Sequence, residues 1–91
     1  MVKLKFFTLL REAAGTKDDQ ISEDLTLEDL LEKIQHRYNP KFTKALFNEN
    51  GQLKTIYQIV INGRTVNPEK SLKRVLTSSD SISFLPPVGG G

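Results

Sequence analysis

The segment of this sequence best suited to chemistry is its C-terminal tail, which reads Pro86-Pro87-Val88-Gly89-Gly90-Gly91. Glycines lack side chains, so they can pass through a narrow channel and present the α-carboxylate of Gly91 inside a partner. The proline pair stiffens the start of the tail and directs it away from the preceding strand. We expect the tail to be flexible in the free protein. A glycine-rich end is also typical of a linker or a frayed terminus, and this reading stays open.

Other residue types with chemical reactivity are scarce. The sequence has no cysteine, which excludes disulfides, thiolate metal sites and a cysteine nucleophile within it. Its one histidine, His36, cannot complete a metal site or a catalytic triad alone, and we interpret it as a solvated surface residue. We therefore expect no bound metal or cofactor, and no converging acid–base groups.

The composition predicts one modest globular domain. The sequence has 91 residues, of which 37% are hydrophobic and 26% are charged. A net charge of +2 is too small to indicate a nucleic-acid surface. Lys33, Arg37, Lys41 and Lys44 could form a weak basic face, although solvated side chains are the simpler interpretation. Since no apolar run could cross a bilayer or serve as a signal peptide, we expect a cytoplasmic protein without a membrane partner.

The N-terminal region predicts a strand from Val2 to Leu10, in which apolar residues alternate with Lys3 and Lys5. Phe7 breaks this alternation because it falls on the lysine face. Either a loop or helix covers Phe7, or it contacts a partner.

A turn at Ala14 to Thr16 is followed by a mostly polar strand from Lys17 to Leu25. We expect this strand to pair back antiparallel with the first one, at an edge of the sheet.

The main helix is predicted to begin after Thr26, whose hydroxyl can accept a backbone hydrogen bond, with Asp29 favourable in the first turn. Asn39-Pro40 should end it. The apolar residues of the helix recur at helical spacing and form one stripe: Leu27, Leu30, Leu31, Ile34 and Tyr38.

The second half of the sequence predicts further short elements. In order, these are a helical turn around Phe42 to Leu46, a central strand at Ile56 to Ile61, a type I′ turn at Asn62-Gly63, a return strand at Arg64 to Val66, a helical turn or packed loop at Pro68 to Leu76, and a last strand at Ser81 to Leu85.

This order of elements predicts an α+β domain over residues 1–85, with one sheet, one main helix packed across it, and a tail over residues 86–91. If the first and last strands are neighbours, Phe7 and Leu85 share an uncovered face near the tail. The pattern then predicts an apolar docking patch beside the tail exit.

Three segments of the sequence, Met1 to Gly15, Val60 to Arg64 and Phe84 to Gly91, carry a resemblance to a known family. They resemble the MoaD/ThiS-type sulfur carriers, in particular the small subunit of molybdopterin synthase. The most specific part is Pro-Pro-Val followed by one small residue, here Gly89, and by Gly90-Gly91. The resemblance implies the β-grasp, ubiquitin-like fold, with a mixed sheet of four to five strands.

The resemblance also implies a mechanism in which this chain is a non-catalytic subunit. A ubiquitin-activating-like adenylyltransferase would use ATP to adenylate the carboxylate of Gly91, and a sulfur donor would convert it to a thiocarboxylate. The tail would then enter the large subunit, in a heterotetramer of two carriers and two large subunits. There the covalently held sulfur would pass to the pterin precursor of the molybdenum cofactor. Phe7 and Leu85 match partner-contacting apolar residues of the family.

The sequence departs from the family pattern in two places. Ser78-Ser79-Asp80-Ser81 replaces the usual Asp-Gly-Asp-Glu before the last strand, and the segment from Asn48 to Tyr57 is similar to that of archaeal relatives. Some archaeal relatives are small protein modifiers attached to lysines, so Gly91 of this chain could instead be joined to target lysines. A plain β-grasp interaction module with an inactive tail is a third possibility.

Overall fold

The computed structural model describes residues 1–86 and has a five-stranded sheet at its centre. The predicted tail residues Pro87, Val88, Gly89, Gly90 and Gly91 lie outside the described residues. In chain order the elements are β1 Val2–Phe6, α1 Thr8–Ala14, β2 Asp18–Ile21, β3 Leu25–Thr26, α2 Leu27–Arg37, α3 Pro40–Leu46, β4 Gln58–Ile61, β5 Arg64–Val66, α4 Pro68–Ser71, β6 Val75–Leu76 and β7 Ser81–Leu85.

The main sheet is mixed, as the resemblance implies. Its strand order is β2-β1-β7-β4-β5, with β1 and β7 parallel and the other neighbours antiparallel. The polar strand β2 lies at an edge, which confirms its predicted place. Strand β4 lies between β7 and β5 and is therefore an interior strand, as predicted, while β7 lies in the middle of the sheet between β1 and β4. Strands β3 and β6 pair separately as a small two-stranded sheet.

The core lies on one face of the sheet, against α2 and α3. Phe6, Phe42 and Phe84 are almost fully buried, and the ring centroids of Phe6 and Phe42 are 5.3 Å apart in an edge-to-face arrangement. Helix α2 adds three buried residues of its predicted stripe, Leu27, Leu30 and Ile34. Burial of these apolar side chains is the main favourable contribution to folding.

Local capping sets the ends of α2 and α3. The Thr26 hydroxyl accepts a hydrogen bond from the backbone N–H of Asp29 at 3.1 Å, which confirms the predicted helix start. After α2, the Asn39 side chain accepts from the N–H of Phe42 at 3.0 Å, and Pro40 occupies the first turn of α3. The stop predicted at Asn39-Pro40 is therefore both the end of one helix and the cap of the next.

The edge strand β2 is tied to the end of α2 by a carboxylate that accepts two hydrogen bonds. Asp19 accepts from the Tyr38 hydroxyl at 2.7 Å and from Arg37 Nε at 3.0 Å. Burial by itself would raise the pKa of Asp19, but these bonds and the backbone N–H of Gln20 outweigh it and lower that pKa. Burial and the bond to Asp19 raise the pKa of Tyr38.

The predicted first strand is too long. Strand β1 ends at Phe6, and residues Thr8–Ala14 form helix α1, so the link to β2 is a helix rather than a tight turn. The physical reason is that Leu10 and Ala13, three positions apart, are buried while Leu9 is exposed, which is the pattern of a helix and not of a strand. Gly15, with a φ of 78°, ends α1 and donates its N–H to the carbonyl of Arg11.

Thr8 starts α1 in an uncommon backbone conformation, with a φ of 49°. The left-handed region is costly for a β-branched residue, by about 1–2 kcal/mol. This residue makes the change of direction between β1 and α1, with Phe7 on one side and Leu9 on the other.

The second half of the chain follows its predicted order with small shifts. Asn62 and Gly63 both have positive φ, 53° and 83°, as the hairpin prediction requires. Strand β4 begins at Gln58 instead of Ile56, because residues 54–57 form a turn in which the N–H of Tyr57 donates to the carbonyl of Lys54. The segment from Pro68 to Leu76 contains both the helical turn α4 and the short strand β6.

None of the helices within residues 1–86 has the length and apolar character that crossing a membrane requires.

Candidate functional site

The candidate site is the end of the sheet from which the tail leaves. Strand β7 runs through the middle of the sheet, hydrogen-bonded to β1 on one side and to β4 on the other, and Pro86 follows it directly. Phe84 is fully buried opposite Phe6 and Ile59, so the strand is anchored in the core up to its next-to-last residue. A tail on such a strand starts from a fixed position and direction.

The start of β7 is fixed by a hydrogen-bond network around Asp80. One carboxylate oxygen accepts from the Thr77 N–H at 2.8 Å and the other accepts from the Asn62 side chain at 2.7 Å. The Asn62 side-chain oxygen in turn accepts from the N–H of Ser81 at 2.9 Å. The bond from Thr77, followed by that from Asn62, holds the pKa of Asp80 below its ordinary value.

This network explains how the turn before β7 forms without the glycine of the family pattern. The N–H of Asp80 donates to the Thr77 carbonyl at 2.9 Å, which closes a four-residue turn. Within residues 1–86, positive φ occurs only at Thr8, Asn62 and three glycines, so neither Ser78 nor Ser79 needs the conformation that favours glycine.

Phe7 and Leu85, the two predicted contact residues, lie at this same end of the sheet. Because Phe6 pairs with Phe84 in the parallel ladder, Phe7 and Leu85 come at the next position of each strand. Phe7 is 40% exposed and Leu85 is partly buried. The geometry therefore brings the two residues together beside Pro86, as the phase of the strands indicates; their role in partner binding stays a prediction.

Two further exposed apolar residues occur near this end, and sequence reasoning missed both. Leu9 is 64% exposed on α1, and Ile56 is 55% exposed in the turn before β4. The adjacent pair Leu9-Leu10 was an available signal, since two consecutive apolar residues in the predicted strand would lie on opposite faces of the sheet. For Ile56 there was none, because an apolar residue before a buried strand is normally assigned to that strand.

Two of the four side chains of the predicted basic face are paired with acids. Lys33 pairs with Glu23 at 2.8 Å and Arg37 pairs with Asp19 at 3.0 Å, while Lys41, Lys44 and His36 are exposed.

A surface groove of about 610 Å³ lies between α2, the segment at residues 48–57 and α4. Glu28, one of its acidic residues, is paired with Lys73 at 3.1 Å. Within residues 1–86 there is no group of three or more His, Cys, Asp or Glu side chains placed to hold a metal ion. The reactive group that the resemblance implies, the carboxylate of Gly91, lies outside the described residues.

Comparison with known proteins identifies the family. A model of the ThiS family matches residues 4–91. This chain belongs to the ThiS family. The match covers almost the whole sequence, including the segment after β7.

Individual relatives of this ThiS-family chain fall into two functional groups. It is 30% identical over 91 residues to the molybdopterin synthase sulfur carrier subunit of Escherichia coli, covering 100% of both chains. It is 29% identical over 92 residues to small archaeal modifier protein 3 of Haloferax volcanii, covering 99% of this chain and 98% of that protein.

A solved structure shows the same fold. The solution structure of small archaeal modifier protein 1 from Methanosarcina acetivorans is 34% identical, with a TM-score of 0.81 over 99% of this chain and 95% of that one. The β-grasp, ubiquitin-like fold implied by the resemblance is confirmed, and the ThiS-family chain has the fold of a ubiquitin-like sulfur carrier.

Proposed function

We propose that this protein carries sulfur as a thiocarboxylate on Gly91 and donates it to the pterin precursor of the molybdenum cofactor. The observation that supports this most directly is a tail ending in Gly90-Gly91 that follows the central strand of a ThiS-family domain. In this proposal the described domain positions the tail, and the reacting group is the carboxylate of Gly91.

The chemistry explains why activation must come first. A carboxylate is a poor electrophile, because its negative charge repels a nucleophile and it lacks a good leaving group. Attack of the Gly91 carboxylate on the α-phosphorus of ATP forms an acyl adenylate and releases pyrophosphate. A sulfur nucleophile then displaces AMP, which leaves sulfur bonded to the carbonyl carbon of Gly91.

The partners follow from this reaction. An adenylyltransferase would bind the tail and ATP, and the large subunit of molybdopterin synthase would accept the sulfur in a heterotetramer. We place both steps in the cytoplasm, where ATP is available. The full-length similarity to the sulfur carrier subunit of Escherichia coli supports this choice.

A second function is favoured by the Haloferax relative named as a modifier. The same acyl adenylate can be attacked, directly or after transfer, by a lysine amine of a target protein, giving an isopeptide bond at Gly91. One activated terminus would then serve two acceptors.

The intact mass of the untagged protein from its own cells tests these functions. Replacement of one oxygen by sulfur, without higher-mass conjugates, is expected for the carrier. A series of lysine-linked adducts would indicate the modifier, and an unmodified mass in cells that make the cofactor would contradict both.

A pair of tail variants tests whether the tail must enter a narrow channel. We expect Gly90→Val to abolish adenylation because the added isopropyl group obstructs the channel. Gly89→Ala is the matched control, since that position takes other small residues in the family pattern, and it should be adenylated normally. Normal adenylation of Gly90→Val would show that no narrow channel is involved.

A further inference from the structure

We propose that Leu9 and Ile56, with Phe7, form an apolar rim around the tail exit that sets the affinity of this chain for the adenylyltransferase that activates Gly91. This exit rim, defined as Phe7, Leu9 and Ile56, extends the predicted patch on both sides of β7. The inference rests on the function proposed above.

Leu9 lies on the β1 side of the exit. The buried residues of α1 are Leu10 and Ala13, so Leu9 is directed away from the core and is 64% exposed. It is separated from Phe7 only by Thr8, whose left-handed conformation makes the sharp change from strand to helix. The unfavourable backbone conformation at Thr8 therefore lies between two exposed apolar residues, Phe7 and Leu9, just after the end of β1.

Ile56 lies on the β4 side of the exit. Gln58 pairs with Leu85, and because β4 and β7 are antiparallel, the residues before Gln58 lie level with those after Leu85. The turn at residues 54–57 is held by the hydrogen bond from the N–H of Tyr57 to the Lys54 carbonyl, and by the buried Tyr57 side chain. Ile56 is thus 55% exposed on a constrained turn beside the start of the tail.

The length of the tail determines what must cover this rim. From Pro87 to Gly91 the chain can extend at most about 17 Å, since each residue adds up to about 3.4 Å. A protein that acts on the Gly91 carboxylate within a channel must therefore bring the channel mouth close to Pro86. Its surface then lies against the residues on both sides of β7, and an apolar mouth would exclude water from Phe7, Leu9 and Ile56.

The distribution of the exposed apolar residues agrees with this assignment. Within residues 1–86, five large hydrophobic residues are strongly exposed, and three of them belong to the exit rim. The other two are Met1, before the opposite end of β1, and Val75 in β6, outside the main sheet. Val75 is 58% exposed, so it matches Leu9 and Ile56 in exposure but not in position.

The experiment compares Leu9→Gln, Ile56→Gln and the matched control Val75→Gln as substrates. The full-length proteins are adenylated by the ubiquitin-activating-like enzyme encoded in the same genome, and pyrophosphate release is measured against carrier concentration. We expect each rim variant to raise KM for the carrier about fivefold to tenfold, with kcat unchanged, because the rim contributes to docking and not to chemistry. Val75→Gln should match the wild type.

Thermal unfolding of each variant provides the folding check. All three sites are exposed, so we expect melting temperatures close to that of the wild type; Leu9→Ser and Ile56→Thr replace any variant that is unfolded at the assay temperature. If the folded rim variants keep the wild-type KM, or if Val75→Gln raises KM equally, the docking role of the exit rim is refuted while the carrier function stands. If the wild-type chain itself is not adenylated, both proposals are overturned.

Discussion

Phe6 and Phe7 are adjacent, yet we expect their substitution to have opposite consequences. Phe6 is 1% exposed and contacts three aromatic rings of the core, so Phe6→Ala should lower the free energy of unfolding by about 3–5 kcal/mol. Phe7 is 40% exposed. Full burial of a phenylalanine contributes about 1.5–3 kcal/mol, so the covered part of Phe7 contributes about 1–2 kcal/mol.

Phe7→Lys should therefore cost less than about 2 kcal/mol, since the aliphatic stem of lysine retains part of the contact. The complex should suffer more, because a lysine at an apolar interface must be desolvated without a partner charge. We expect the Kd for the large subunit of molybdopterin synthase to rise at least about tenfold.

Urea unfolding followed by circular dichroism measures the change in stability, and calorimetric titration with the large subunit measures the change in Kd. Val75→Lys is the control for adding a lysine at an exposed site away from the exit. A loss of stability in Phe7→Lys as large as in Phe6→Ala would place Phe7 in the core. An unchanged Kd would refute the docking role.

Two further predictions concern the segments that lead into the site. Thr8→Gly should raise the free energy of unfolding by about 0.5–1 kcal/mol, because relief of the left-handed conformation exceeds the entropy cost of glycine. Urea titration measures this change, and a decrease would contradict strain at Thr8. Because the pKa of Asp80 is lowered on folding, its contribution to stability is complete above the unfolded value near 3.8 and is lost as pH falls through the lower folded value. Asp80→Asn should therefore lose less stability than the wild type between about pH 4 and pH 2, and equal losses would contradict the hydrogen-bonded carboxylate.

Elements governed by neighbouring residues were predictable from the sequence. The hydroxyl of Thr26 caps the helix that follows it, and Asn62-Gly63 adopts two positive φ values, because both features depend on a few adjacent residues. The last strand, Ser81–Leu85, also has its predicted limits, set by alternation before it meets proline. The resemblance likewise depended on short sequence motifs, above all the residues of the tail.

The errors arose where a short apolar run fits two periodicities. The predicted first strand was extended past Phe6 to Leu10, but the same residues also place Leu10 and Ala13 three apart. The helix prevails because those two residues are then buried and α1 packs against α3, a contact between segments distant in sequence. Likewise Ile56 continues a strand pattern, yet the turn that holds Tyr57 leaves it outside the sheet.

By itself, the sequence determined the local elements, the α+β class and a terminus suited to carrying an acyl group, since each depends on residue types within a few positions. Only the tertiary structure decided that β7 lies at the centre beside β1, because strand pairing depends on competing contacts between segments almost the whole chain apart. That pairing brings Phe7 to the same end of the sheet as Leu85, and the turn before β4 leaves Ile56 exposed on the other side of β7. The resemblance to a carrier was therefore apparent in the sequence, whereas the arrangement of Phe7 and Leu85 at the end of the sheet arises from long-range packing.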